Sequence, residues 1–284
     1  MRLRENCALV LLALSGLLGL WPAGTLAQEA TAGSQIKATY RVDLSALNLG
    51  EFNLTASLKG SAYEVRAKGR FSLLAGMLYR ASGNTMSKGR LSKAGPQPAK
   101  FTVRFENGSK KEERAMTFAG GAVREVTLIP RRMRIPRRQV PVTQEQLRNV
   151  LDPLTAAFLY ARSDGPPGDL RVCDRTVPVF DGKQRFDIVL KPKRAESLGQ
   201  GAPANLSGPL AVCQVKYVPV AGYRPDHPGI KFVTKNEDIE VWLMPVPQTA
   251  LYIPYRVVMP TTWGTGSVTL TDIAMSSAGA SLRD

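Results

Sequence analysis

Apolar and polar residues alternate strictly through three consecutive short segments near the start of this 284-residue chain. No other feature restricts its fold as much. Ile36, Ala38, Tyr40, Val42 and Leu44 fall on one side of the first segment, and Lys37, Thr39, Arg41 and Asp43 on the other. A turn expected near Asn48–Gly50 leads to Phe52, Leu54, Ala56 and Leu58, and Gly60-Ser61 leads to Tyr63, Val65 and Ala67. A period of two is the mark of strands with one buried face. Short turns between such strands make an antiparallel meander with one dry face and one wet face.

The alternation returns down the chain. Strands are expected near Thr85–Leu91, from Phe101 to Asn107-Gly108, through Met116 and Phe118, and over Val123–Ile129. A Gly-Pro-Gln-Pro turn is read at Gly95–Pro98. Further strands are expected at Thr176–Phe180, Arg185–Leu190, Cys213–Tyr217, Ile239–Leu243, Tyr252–Met259 and Ser267–Ile273. One passage is helical. Thr143 and Gln146 have the spacing of a capping box, and Asp152-Pro153 reads as an N-cap followed by proline in the first turn. Leu154, Ala157, Phe158 and Ala161 then share a face of a helix over 153–162 that packs on or plugs the sheet. Strand twist accumulates, so about a dozen strands cannot stay flat. The expected fold is mainly β, a strongly curved antiparallel sheet, either a spiral or an incomplete barrel, with one main helix; a two-sheet sandwich is the alternative.

Residues 1–27 have the build of a secretory signal peptide. Arg2 and Arg4 precede an apolar run from Ala8 to Trp21, and small residues end at Ala27. The run is short of the roughly 20 apolar residues that cross a bilayer. The expected organisation is signal peptide 1–27, one β-rich domain over 28–276 and a disordered tail over 277–284, with export to the periplasm. Loss of Arg2, Arg4 and Glu5 lowers the formal net charge of +15 by one. Outside the cytoplasm such a charge points to anionic lipid or acidic glycan, or to another envelope protein, and away from nucleic acid. The protein is expected to be a monomer. Cys7 leaves with the signal peptide, so Cys173 and Cys213 should form one disulfide in an oxidising compartment.

Catalytic motifs are missing from the sequence. The one histidine, His227, sits in Arg224-Pro225-Asp226-His227-Pro228-Gly229, a turn context, which leaves no imidazole set for a metal and no cofactor signature. There is no Gly-X-Ser-X-Gly elbow for a nucleophilic serine. Asp174, Asp181, Asp187, Glu237, Asp238 and Glu240 could supply the two carboxylates of a glycan hydrolase, but read more simply as solvated surface groups. The sharpest local anomaly is the arginine run Arg131, Arg132, Arg134, Arg137 and Arg138. It suits phosphate or carboxylate groups, or else blunts a sheet edge. Leu73, Leu74, Met77, Leu78, Trp242 and Trp263 are the candidate contacts for an apolar ligand.

Several segments, in order, resemble domain of unknown function family 3108. They are Tyr40-Arg41-Val42 with Leu49-Gly50, then Leu73–Tyr79, then Asp152-Pro153-Leu154-Thr155-Ala156. Val179-Phe180-Asp181-Gly182-Lys183, Pro254-Tyr255-Arg256-Val257 and Trp263-Gly264 follow, so the likeness spans most of Thr39–Thr271. The resemblance implies an exported envelope protein of mostly β structure and supplies no catalytic residues. The expected role is non-enzymatic: binding or shielding an apolar or amphipathic envelope component, such as a lipid or lipopolysaccharide-like molecule, in support of envelope integrity. A scaffold that binds another envelope protein through a sheet edge is the second expectation, and a glycan hydrolase the third.

Overall fold

A computed structural model describes residues 33–73, 79–131, 137–199, 202, 206–247 and 249–277. The expected signal peptide lies outside these residues, as does the expected tail over 277–284 apart from Ser277. Seven strands come first: β1 (Gly33–Leu44), β2 (Leu47–Lys59), β3 (Ala62–Leu73), β4 (Tyr79–Ser92), β5 (Gly95–Asn107), β6 (Lys110–Ala119) and β7 (Ala122–Ile129). A long crossover carrying helix α1 (Pro153–Phe158) leads to β8 (Arg175–Phe180), β9 (Arg185–Ser197) and β10 (Pro209–Ala221). Helix α2 (Pro228–Lys235), β11 (Glu240–Pro245), β12 (Tyr252–Thr261) and β13 (Gly264–Ser277) complete the chain.

All thirteen strands form one antiparallel sheet in the order β7-β6-β5-β4-β3-β2-β1-β13-β12-β11-β10-β9-β8. Neighbours in sequence are neighbours in space, except that β1 pairs with β13, which leaves β7 and β8 as the two edges. The sheet is not closed, but the crossover spans the gap. Arg148 bridges to Ala122 at one edge, and Leu151 pairs in parallel with Val179 at the other. Asn149 N donates to Gly121 O at 2.6 Å, and Leu151 N to Pro178 O at 2.9 Å. Two ion pairs fasten the same gap from the side. Arg114 Nη1 lies 3.1 Å from Asp181 Oδ2, and Lys183 Nζ lies 2.9 Å from Glu112 Oε2. The architecture is therefore an incompletely closed barrel rather than a sandwich.

The expected dry face of the first three strands is the buried one: Ala38, Tyr40, Leu54, Ala56, Tyr63 and Val65 are each 5 % exposed or less. Leu154 and Phe158 of α1 join them in a single core, while Ala156 and Tyr160 pack against Leu151, Val177 and Val179. The helix thus plugs the curved sheet, contacting both halves of it.

Local differences have local causes. The first hairpin turns at Ser45-Ala46, where Ser45 takes φ +53°, so Asn48 and Gly50 belong to β2. Gly95–Pro98 lies inside β5, the turn being Lys93-Ala94. The capping box is present, with Thr143 N donating to Gln146 Oε1 at 3.0 Å, but it opens only a single 3-10 turn. Helix α1 ends at Phe158 rather than at residue 162, because Ser163 N donates to Ala250 O and Tyr252 N of β12 donates to Ala161 O, which draws the chain after the helix to that strand. The turn expected at His227 is instead the start of a second helix, α2. The His227 imidazole accepts from Gly229 N at 3.2 Å and Pro228 fills the first turn, so one residue does the work of an Asx cap.

Candidate functional site

Rows of side chains across the first half of the sheet decide where the interior is full and where it is hollow. In one row Val65, Ser87, Phe101 and Met116 stand side by side on β3, β4, β5 and β6. That row is filled by the start of α1. Ser87 Oγ donates to Asp152 Oδ2 at 2.8 Å, and Tyr63 OH lies 3.0 Å from Thr155 Oγ1. Two residues along the strands the row becomes Ala67, Thr85 and Val103, and two further it becomes Phe52, Gly69, Gly83 and Phe105. Successive side chains along a strand face opposite sides, so these rows share the inner face. Small residues on β3 and β4 then leave a trough between two phenylalanines.

Above the trough lies a cavity of about 610 Å³. Its walls include Phe52, Phe71, Phe101 and Phe105 of the sheet, Leu154 and Phe158 of α1, and Phe186 of β9. Both glycines are needed for its shape. A Cβ on Gly69 would stand 2.7 Å from the Cβ of Phe52, whereas one on Gly83 meets nothing closer than Arg104 O at 3.3 Å and would grow into the hollow. Arg114 and Asp181 stand at the rim, whereas Lys68 and Arg104, one residue out of step with the inner rows, face the outer side of the sheet. Arg104 is held by Glu113 at 2.9 Å and Arg114 by Asp181. A second apolar cavity of about 240 Å³ lies across α1 and shares Pro153, Ala157 and Phe186 as its wall. Volumes of several hundred Å³ with apolar walls and few polar groups are the ordinary form of a small-molecule site.

The residues singled out from the sequence are dispersed. Cys173 and Cys213 form the expected disulfide, with an S–S distance of 2.02 Å. Leu73 ends β3, whereas Leu74, Met77 and Leu78 lie outside the described residues, as do Arg132 and Arg134. Trp242 lines neither cavity. Its ring lies 5.2 Å from the Arg194 guanidinium and 5.9 Å from that of Arg256, and its indole N–H donates to Glu240 at 3.0 Å. Trp263 is 82 % exposed on the β12–β13 turn, far too wet to be a pocket wall. Arg131, Arg137 and Arg138 are exposed beyond the end of β7.

Three of the carboxylates considered for hydrolysis, Asp181, Asp187 and Glu240, are tied to cations. Asp187 pairs with Arg185 at 2.6 Å, and Glu240 with Arg194 at 2.9 Å and Lys193 at 2.7 Å. The Arg194 hydrogen bonds hold the Glu240 carboxyl down at about 2, where it is a poor proton donor at neutral pH. His227 is an exposed cap. Sequence reasoning missed the Gly69–Gly83 pair, although both glycines interrupt otherwise good strands, a pattern that signals a close approach or an opening.

Residues 39–271 match the family model described as "Protein of unknown function (DUF3108)". A crystal structure titled as a beta-barrel-like protein of domain of unknown function DUF1849 from Brucella abortus is similar at 9 % identity and a TM-score of 0.45. That likeness covers 85 % of this chain and 98 % of the other. No curated protein matches.

Proposed function

The chain belongs to the DUF3108 family of proteins of unknown function, and we propose that it is a non-enzymatic binding protein of the cell envelope. In this reading it is exported to the periplasm and holds or shields an apolar or amphipathic envelope component against the inner face of its sheet. The observation that carries the reading is the 610 Å³ cavity floored by Gly69 and Gly83. A phenylalanine-walled hollow supplies affinity of about 25 cal/mol for each Å² of ligand surface removed from water. Arg114, on the same face of β6 as buried Met116, is a cation at its edge that suits an anionic head group.

Titration with a dansyl-labelled fatty acid tests this directly. The protein should bind the probe, and Gly83→Leu should weaken binding at least about tenfold, or ~1.4 kcal/mol, by occupying the trough. A Cβ here stands 3.3 Å from the Arg104 carbonyl oxygen, so the melting temperature is measured alongside, and the comparison holds where the variant still unfolds cooperatively. Equal probe affinity in the two proteins would sink the cavity reading.

The scaffold reading has one observation in its favour. Among the described residues the outer side of β7 is paired only at Ala122, and Val126 and Ile129 are 36 % and 55 % exposed beyond it. A charge on an edge strand blocks pairing. Val126→Lys should therefore abolish a strand-addition complex while leaving probe binding intact; a complex isolated from cells that survives this change removes the scaffold reading.

A further inference from the structure

Among the described residues, six of the eight large apolar side chains most open to water gather at one end of the strands, Val126 and Met275 being the exceptions. Leu47, Phe105, Ile129, Met259 and Trp263 all lie where β1 turns into β2, β5 into β6 and β12 into β13, and β7 ends there too. Phe232, on α2, joins them, since Asn236 at the end of that helix donates to Pro260 O at 3.2 Å. Trp263 at 82 % and Leu47 at 51 % belong to turns that are fused: Ser45 N donates to Thr265 O at 2.7 Å, and Thr265 N to Ser45 Oγ at 3.3 Å.

Positive charge runs along the same rim. Val140 exchanges backbone hydrogen bonds with Tyr223 and Gly222, which brings Arg137 and Arg138 beside Arg224 and the approach to α2. Lys231 and Lys235 follow on that helix. Asp226, Glu237 and Asp238 offset part of this charge, and Arg224 lies 3.8 Å from Asp226, but cations still outnumber carboxylates there. An exposed tryptophan projecting from a turn, with aliphatic neighbours and a basic surround, has the composition of a bilayer-interface contact. Among the described residues no helix is long and apolar enough to cross a membrane, so this contact would be made from one side.

We propose that this end of the sheet docks on the surface of an anionic phospholipid bilayer. Trp263 and Leu47 enter the boundary between head groups and acyl chains, and the rim arginines and lysines face the phosphates. The formal net charge of +15, lowered by one if residues 1–27 are removed, complements such a surface and favours it over a neutral one. Docking is independent of whether the cavity holds a ligand. The cavity does open toward the same end, where Phe105 is 38 % exposed, so a docked protein would present its mouth to the lipid.

The test is co-sedimentation of protein, as recovered after expression of the full chain, with two kinds of vesicle. One kind is phosphatidylglycerol mixed with phosphatidylcholine, the other phosphatidylcholine alone. Wild type should favour the anionic vesicles and dissociate as salt rises. Trp263→Ala should lower binding about tenfold, and Arg137→Gln and Lys231→Gln about fivefold each. Leu47→Asp provides a second apolar variant, and Gly83→Leu should bind vesicles as wild type does, separating this surface from the cavity. Equal binding to both vesicle types, or wild-type binding by Trp263→Ala and Leu47→Asp with unchanged melting temperatures, would overturn the proposal.

Discussion

Replacing Cys173 and Cys213 together by alanine is expected to lower stability by about 4 kcal/mol, the chain-entropy value for a closed loop of about 40 residues. For a domain of this size that is a fall in melting temperature of roughly 10 °C. Both cysteines are 0 % exposed, so reduction requires local opening. The bond ties the 3-10 turn Leu170–Cys173, where the crossover ends, to the middle of β10. At its other end the crossover is held by Leu151 against β8. Helix α1 lies between these anchors, so losing one of them loosens the plug as well as the chain. Urea titration of wild type, the double variant and wild type under dithiothreitol gives the answer. Reduced wild type should match the double variant, and dithiothreitol should leave the variant unmoved. A double variant within about 1 kcal/mol of wild type would show that packing at Val172, Leu190 and Ala211 already fixes this corner.

The strands were legible because alternation is a local property. Ala38, Tyr40, Leu54, Ala56, Tyr63 and Val65 fall on the buried face as expected, since burial of one face leaves a period of two in the sequence. Hairpin ends were less legible. Asn48–Gly50 and Gly95–Pro98 carry turn residues, yet lie in strands, because the register shifts at Val42/Asp43 and Lys88/Gly89 absorb them as irregularities in the ladder. Helix α2 was hidden for a different reason. It is a short helix whose cap is an imidazole nitrogen, and Pro-Asp-His-Pro-Gly carries the composition of a turn.

The cavity could not be read because it is made by side chains that are absent. Gly69 and Gly83 sit 14 positions apart in sequence and become neighbours only through the β3–β4 register. The two interior motifs behave differently. Asp152–Ala156 and Val179–Lys183 were visible as separate segments, and the fold joins them: Leu151 pairs with Val179, and Phe180 N donates to Leu151 O at 2.9 Å. One motif caps the plug and the other carries the Asp181 and Lys183 ion pairs that fasten the gap. Tryptophans were poor guides, since a large aromatic can be buried, stacked on arginine or set in water, and Trp242 and Trp263 take the last two courses.

Stability is expected to fall as pH rises from about 4, because of a single buried carboxyl. Asp152 is 0 % exposed, and among the described residues the partners of its oxygens are hydroxyls and backbone N–H groups. Burial pushes its carboxyl above the ordinary carboxylate range, against the opposing effect of its donors. The oxygens tell the same story. Asp152 Oδ2, Ser87 Oγ and Thr155 Oγ1 form a triangle with sides of 2.8, 2.8 and 2.7 Å. The two hydroxyls supply only two hydrogens for three contacts, and a protonated carboxyl supplies the third. With the folded-state value raised, the native protein binds more protons than the unfolded chain between the two values. The stabilisation is therefore complete below the ordinary aspartate value near 4 and is lost as pH climbs through the raised one. Asp152→Asn keeps an acceptor for Leu154 N and Thr155 N and carries a permanent donor, so its stability should be flat across that window and at least equal to wild type above it. Asp152→Ala strands those two N–H groups and should cost about 3 kcal/mol at every pH. Denaturation midpoints of the three proteins from pH 4 to pH 8 decide the matter. A wild-type stability that instead rises through this range, with Asp152→Asn falling below it, would mean that the carboxylate is ionised in the core and that its four donors outweigh its burial.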